Sequence, residues 1–405
     1  MNNKQTAKNA FMIGTLCTLM YLSVYIARNA LSAVSPQMIA DKLFTEKFIG
    51  TMASIFFFAY AIGQLVNGLI GDVIRSKYMM TIGLVLAGVS SIFLPHFYDN
   101  SIIVNILYGV VGFSLSMIYG PMTKSIAENT KPDHAIKCNL ALNFAAYFGT
   151  PIAGLLALIY SWDSAFEASG IILCFMAILC FIIFSYFENK KIIIYNNFAT
   201  TRTHNAYKKS FKASFNLLVE RKIIKFTLVS ILTGVIRTTV LFWMPTYLMQ
   251  YLEFSEKNST RIFTIVSLVI SLGSFAAVCI YKLFKNSIDK TLVFSFLLAA
   301  VFFIGTFIIK QEVVNILLLI MAIMASNCAA TMMWSFYCPS LADTGLVSST
   351  TGYLDFISYM AAAISSKLFA NAVADIGWSG LILVWFALMI FGIAISIPYK
   401  KRCEN

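Results

Sequence analysis

Charge is what this chain has least of. Only 12% of its 405 residues are charged against 59% hydrophobic, and the mean hydropathy is +0.79. Those values exclude an ordinary soluble globular domain. Histidine is also scarce: His96, His134 and His204 are scattered and form no metal or triad pattern. The eight cysteines stand singly, with no C-x-x-C pair, and read as small apolar residues in helices. No small-residue processing site closes the first apolar run, which is longer than a signal-peptide core, so it reads as a retained first helix. No enzyme constellation and no cofactor motif emerges.

What the sequence has instead is apolar length. Twelve runs of about 18–26 residues are long enough to cross roughly 30 Å of hydrocarbon at 1.5 Å per residue. They fall at residues 10–35, 48–70, 78–95, 101–123, 138–160, 164–187, 223–250, 261–284, 291–309, 313–338, 349–373 and 376–399. The expectation is an all-α integral membrane protein of twelve transmembrane helices.

The formal charge of +12 and a pI near 9.2 do not point to nucleic acid, because the basic residues sort by side of the membrane. With both termini taken as cytoplasmic, Lys4, Lys8, Arg75, Lys77, the loop from Lys190 to Lys225, Lys282 to Lys290 and Lys400 to Arg402 all fall inside. The outer loops hold little beyond Lys42, Lys47, Lys257, Arg261 and Lys310.

One long polar stretch, residues 188–222, splits the runs into two sets of six. The expected domains are therefore residues 1–187, a linker 188–222 and residues 223–405. Within the linker, Phe211, Phe215 and Leu218 recur at helical spacing among lysines, as in a helix lying on the inner leaflet; a solvated basic linker is the alternative. The two sets also look related. Arg28 precedes Pro36 by eight residues in the first run, and Arg237 precedes Pro245 by eight in the seventh. Internal duplication is common in transporters.

An arginine in mid-helix costs about 2.5–3.5 kcal/mol on insertion scales and normally faces a bundle interior or an aqueous cavity. Arg28 lies ~25 Å along the first run and Arg237 ~21 Å along the seventh. The readings are an anion site between the halves, where the planar guanidinium forks grip a phosphate or carboxylate, or else snorkelling or structural ion pairs. The eleventh run adds Asp355 and Lys367, about 18 Å apart along the axis. Asp355 could pair an arginine, carry a proton or meet a substrate cation, and Lys367 could snorkel or bind substrate. Tyr60, Gln64 and Asn67 form a polar stripe on the second run, either cavity lining or glue between helices. Asn143 and Tyr147 on the fifth run, with Trp334 and Tyr337 on the tenth, are further lining candidates, for which packing is the alternative.

Three segments resemble the major facilitator superfamily and, within it, the organophosphate:phosphate antiporter family, which includes glycerol-3-phosphate and hexose-6-phosphate transporters. V-Y-I-A-R-N-A-L-S-A-V-S-P resembles that family's first helix and places Tyr25 and Arg28 on its substrate-site tyrosine and arginine. I-R-T-T-V-L-F-W-M-P-T-Y-L resembles its seventh helix and places Arg237 on the second phosphate-binding arginine. G-L-I-G-D-V-I-R-S-K resembles the superfamily's signature loop through Gly68, Asp72 and Lys77, with Val73 and Arg75 where a basic residue and a glycine are usual.

The resemblance implies two pseudo-symmetric six-helix bundles in a bacterial cytoplasmic membrane. They would move a small anion by alternating access, with exchange for a counter-anion, as a monomer that has no cofactor and no nucleic-acid partner. Asp72, Arg75 and Lys77 would bias the cytoplasmic gate. Gln64 stands where the glycerol-3-phosphate transporter has a lysine, and Asn143 or Phe144 where it has a histidine, while Lys367 is extra. The resemblance therefore implies an organic anion, phosphate ester or carboxylate, more than a phosphate ester alone. Proton-coupled symport through Asp355, and sensing of a phosphorylated metabolite, are the rival readings.

Overall fold

The computed structural model describes residues 3–70, 74–194, 219–271, 273–341 and 347–397, and among these there is no strand. The first six helices are α1 (Asn3–Ala40), α2 (Glu46–Ile70), α3 (Ser76–Phe93), α4 (Ser101–Asn129), α5 (Pro132–Ile159) and α6 (Trp162–Asn189). Then come α7 (Ile223–Gln250), α8 in two pieces (Glu256–Ser271 and Gly273–Leu283), α9 (Ile288–Ile308) and α10 (Glu312–Tyr337). A final run, Val347–Ser396, is two helices, α11 and α12, that meet at Gly377, where φ is 68° and helical geometry lapses. Among the described residues, ten continuous helices are long and apolar enough to cross a membrane. Dividing the last at Gly377 and joining the pieces of α8 gives the twelve expected spans.

Helices suit this composition because hydrocarbon offers no partner for a free backbone N–H or C=O. Their outward faces are apolar. On α6, Ile171, Phe175, Ile178 and Ile182 are all more than half exposed, while the inward face sets small residues, Ala165, Ser169, Gly170 and Ala177, among larger ones such as Phe166 and Leu173. That arrangement is expected where lipid, not water, is the surrounding solvent. The residues closing several helices adopt left-handed φ without being glycine, among them Lys42, Lys191, Glu253 and Asn286.

By contact the chain divides into two compact bodies, Met1–Ser210 with Phe254–Leu268, and Phe211–Glu253 with Val269–Asn405. In the first body the start of α8 packs where Thr264 fills the space beside Gly154, and the Thr260 hydroxyl lies 3.5 Å from the Ala33 carbonyl. The segment Phe254–Leu268 of α8 thus groups with the first body. Phe211, Phe215 and Leu218, the proposed surface helix, lie outside the described residues.

The two bodies repeat one crossing. In the first, Gly149 of α5 lies flush against Tyr25 of α1, and in the second, Gly234 of α7 lies flush against Ser358 of α11. One offset of 209 residues takes Tyr25 to Gly234, Gly149 to Ser358, Arg28 to Arg237 and Pro36 to Pro245. The glycine that permits close approach has changed helices, and the crossing has stayed.

Candidate functional site

In the first body, Arg28 is half-buried on α1, and its guanidinium carbon sits 5.1 Å from the Tyr60 ring centre, 5.3 Å from Tyr25 and 6.0 Å from Phe57. Each desolvated cation–π contact is worth roughly 0.5–2 kcal/mol. Together they offset part of the cost of holding a charge at membrane depth. A planar guanidinium stacked on rings can still donate in its own plane. Tyr25 is itself fixed by Gly149 behind it and by an edge contact to Tyr21 at 5.0 Å. Gln64, one turn along α2 from Tyr60, is half-buried. Asn67 turns away: its amide donates to the Ser116 hydroxyl at 2.7 Å, so the far end of the expected stripe is glue between α2 and α4. The side chains of Asn143 and Tyr147 are outside the described residues. Their backbone lies short of Arg28, since Gly14 meets Cys138 and Tyr25 meets Gly149, and this register puts Asn143 roughly 13 Å below Arg28 along the axis.

In the second body, Arg237 lies inside a π-helical segment, Val235–Val240, set within α7. It is half-buried and has no hydrogen-bond, ion-pair or ring partner among the described residues. Such π-bulges are rare and concentrate at functional sites. Pins to α11 bracket it. The Ser230 hydroxyl donates to the Leu354 carbonyl at 2.6 Å, and Thr239 and Ser365 share a hydrogen bond of 2.8 Å. These pins fix depth at 1.5 Å per residue: Asp355 falls about 10 Å before Arg237 along the axis and Lys367 about 7 Å beyond it. Asp355 is half-buried and Lys367 exposed.

On α10, the Tyr337 ring stacks on Phe226 of α7 at 3.5 Å, so Trp334 lies roughly 12 Å short of Arg237 and the two are not brought to one level. Asn327, which the sequence reading passed over, is level with Arg237 by the same register, and its side-chain oxygen is buried without a partner. The second π segment, Met332–Tyr337, contains Trp334 and Tyr337. Neither π segment has a compositional signal, because both read as ordinary apolar helix.

Of the expected gate residues, Asp72 lies outside the described residues, and Arg75 is exposed at the cap of α3. Lys77, the second residue of α3, is buried, with Nζ 2.5 Å from Glu188 Oε2 and 3.4 Å from the Ser185 hydroxyl, both on α6. In the second body the start of α9 is also tied, with the signs reversed and to the start of α7 instead of α12. Asp289, the second residue of α9, accepts from Lys222 at 2.8 Å and Lys225 at 2.9 Å, and Lys225 also donates to the Ser396 carbonyl that ends α12, at 2.8 Å. Among the described residues no group of three potential metal ligands is gathered.

Membrane-spanning helices in two repeated bodies, each carrying a mid-helix arginine at the same repeat position, define a multi-pass membrane protein of the transporter class. The sequence profile of the Major Facilitator Superfamily matches residues 17–366, and the chain belongs to that superfamily. It is 29% identical over 151 residues to the membrane sensor protein UhpC of Salmonella typhimurium, covering 37% of this chain and 26% of that one. Over 73 residues it is 33% identical to a probable hexose phosphate transport protein of Chlamydia pneumoniae, 18% of this chain and 16% of that one. These matches therefore span about a quarter or less of the relatives' own length. A hexuronate transporter of Bacillus subtilis is 22% identical over 395 residues, 93% of this chain and 91% of that one. Among solved structures, an inward-facing bacterial homologue of the human lysosomal transporter Spinster superposes with a TM-score of 0.76 at 11% identity, covering 96% of each chain. That likeness is one of fold.

Proposed function

We propose that this protein is a secondary transporter that exchanges small organic anions, phosphate esters or carboxylates, across a bacterial cytoplasmic membrane by alternating access of its two halves. Both termini are cytoplasmic in this reading. The observation that carries it is Arg237: a permanent cation at membrane depth, in a π segment, with no protein partner among the described residues. An unpaired charge there is costly unless something else satisfies it, and an anion does so. Arg28, held by its rings at the matching position of the repeat, is the second anion-binding group. Tyr25, Tyr60 and Gln64 line its side, and Lys367 and Asp355 flank Arg237 in depth. Asn143 and Trp334 belong to the cytoplasmic margin of the site, while Asp72, Arg75 and Lys77 bias the gate. The relatives' names, hexose phosphate and hexuronate, support a hydroxylated anion of either chemistry.

The test is ligand binding by purified Arg28→Lys and Arg237→Lys proteins, screened with glucose 6-phosphate, glucuronate and inorganic phosphate after confirming that each is folded. Lysine keeps the charge but loses the fork, so affinity for the anion that the wild type binds should fall by one or two hydrogen bonds to a charged group, about 1.5–3 kcal/mol each. Wild-type affinity in both variants would remove the arginines from the site. The sensor among the relatives favours a second reading, in which binding signals and little is moved; counterflow in proteoliposomes separates the two.

A further inference from the structure

A groove of about 370 Å³ runs between the starts of α1 and α5 in the first body. It lies on the side of α1 that leads to Arg28. Gly14, Thr18 and Tyr25, spaced by four and seven residues, share one face of that helix; the first two line the groove, and Tyr25 lies against the Arg28 guanidinium. Gly14 precedes Arg28 by fourteen residues, roughly 21 Å along the axis.

The charge in this groove has one sign. His134 and Lys137 line it, and no acidic residue does. Lys137 is exposed, and no hydrogen bond or ion pair engages it among the described residues. Asp133, one turn earlier on α5, is exposed, lies outside the lining and makes no ion pair with Lys137. The remaining walls are mostly small or apolar, Ala10, Phe11 and Leu19 among them. Thr15, also in the lining, is exposed, and its hydroxyl has no partner among the described residues. A cleft that combines charge of one sign with walls of low dielectric focuses the field, and such focusing raises capture rates by about 10–10³.

We propose that this groove is a vestibule that draws small organic anions toward Arg28, with Lys137 as its permanent cation and the Thr15 hydroxyl as a donor beside it. The proposal rests on the anion-exchange reading above and adds the approach to its site from the cytoplasmic end. Lys137 steers the anion and does not hold it at its destination. Because Gly14 meets Cys138, Lys137 enters at the depth of Gly14, farther from Arg28 than the screening length of about 8 Å at physiological salt. Its charge therefore acts on encounter and leaves the anion at Arg28 almost untouched.

The test reads the field in the groove directly. Thr15→Cys is made in the full chain on a Cys-free background and placed in nanodiscs, where its modification by anionic sulfonatoethyl methanethiosulfonate is compared with that by the cationic trimethylammonium counterpart. Each rate is divided by the same reagent's rate with free cysteine. The anionic reagent should then lead by about tenfold at low salt, with the lead shrinking as salt rises. Lys137→Gln should cut the lead severalfold, Lys137→Glu should reverse it, and Lys137→Arg should keep it. No lead, a lead indifferent to both Lys137→Gln and Lys137→Glu, or a cysteine that neither reagent reaches, as under a covering lipid, overturns the vestibule. In counterflow with glucose 6-phosphate, glucuronate or inorganic phosphate, Lys137→Gln should raise KM severalfold and leave kcat near that of the wild type; an unchanged KM would also overturn it. A lead that follows Lys137 while the wild type exchanges none of these anions would instead count against the arginine site alone, so the two failures are distinguishable.

Discussion

Arg28 and Arg237 occupy the same place in the repeat and are held in different ways. Three aromatic rings cradle the first; the second sits in a π segment without a partner among the described residues. The difference predicts unequal responses to conservative change. Tyr60→Leu removes one ring from Arg28 and should weaken anion binding by about 0.5–2 kcal/mol, roughly two- to thirtyfold, measurable by titration of the purified protein. Tyr60→Phe keeps the ring and should lose less affinity than Tyr60→Leu. At the crossing behind this site, Gly149→Ala would push a methyl group into Tyr25. Overpacking of this kind costs about 1–3 kcal/mol, and a lowered unfolding temperature with displaced Tyr25 should follow.

Glu256, at the very start of α8 and ahead of its apolar run 261–284, supplies a pH test. Burial, with the Asp41 carboxylate nearby, raises its pKa above the ordinary carboxylate value. A folded-state pKa above the unfolded one favours folding at low pH, and that advantage is lost as pH rises through the folded value. At neutral pH ionised Glu256 is therefore a liability. Glu256→Gln should raise the unfolding temperature at neutral pH, with the gain vanishing as pH falls to about 4. An unchanged difference across that range would contradict the assignment.

Among elements, the ties at the starts of α3 and α9 are the least expected features. The Lys77–Glu188 pair joins α3 to α6, and its side chains are 8% and 17% exposed, so removing one partner strands a largely buried charge. Losses of about 3–5 kcal/mol are usual in such cases. Lys77→Met should destabilise strongly, and Lys77→Met with Glu188→Leu should recover much of the loss. A merely exposed pair would show little effect in either variant. Lys77 thus has a structural duty beside the gating one proposed for it.

The same scale shows how far the sequence could be read. Span α7 was legible to the residue, 223–250, because apolar length is a direct signal. Span α8 was blurred by Glu256, Lys257 and Arg261 in its first turns, and α1 and α4 run on past their apolar segments into polar termini. The π segments were not legible, since backbone hydrogen-bond register leaves no trace in composition. Of the site, the charges were conspicuous because charge is rare in this chain. Phe57 and Asn327 were not, because a phenylalanine or a lone asparagine in a membrane helix is ordinary packing until the structure places the one against Arg28 and register puts the other level with Arg237.

For the whole molecule, the repeat is the organising fact. One offset relates arginine, proline and helix crossing in both bodies. The exchange proposed above draws on that repeat, since like charges repel in an empty carrier and an anion relieves them. Topology is testable separately: cysteines replacing Asp99 or Asp163, introduced on a Cys-free background, should react with an impermeant reagent from outside the cell. Labelling only from the cytoplasm would invert the orientation.

The most direct test of the central claim is counterflow in proteoliposomes with glucose 6-phosphate, glucuronate and inorganic phosphate as paired internal and external anions. The account predicts that uptake of at least one labelled anion requires an anion inside, proceeds without a pH gradient, and is lost in both Arg28→Lys and Arg237→Lys while each remains folded. Uptake into anion-free vesicles driven by a pH gradient, or full exchange by both lysine variants, would contradict it.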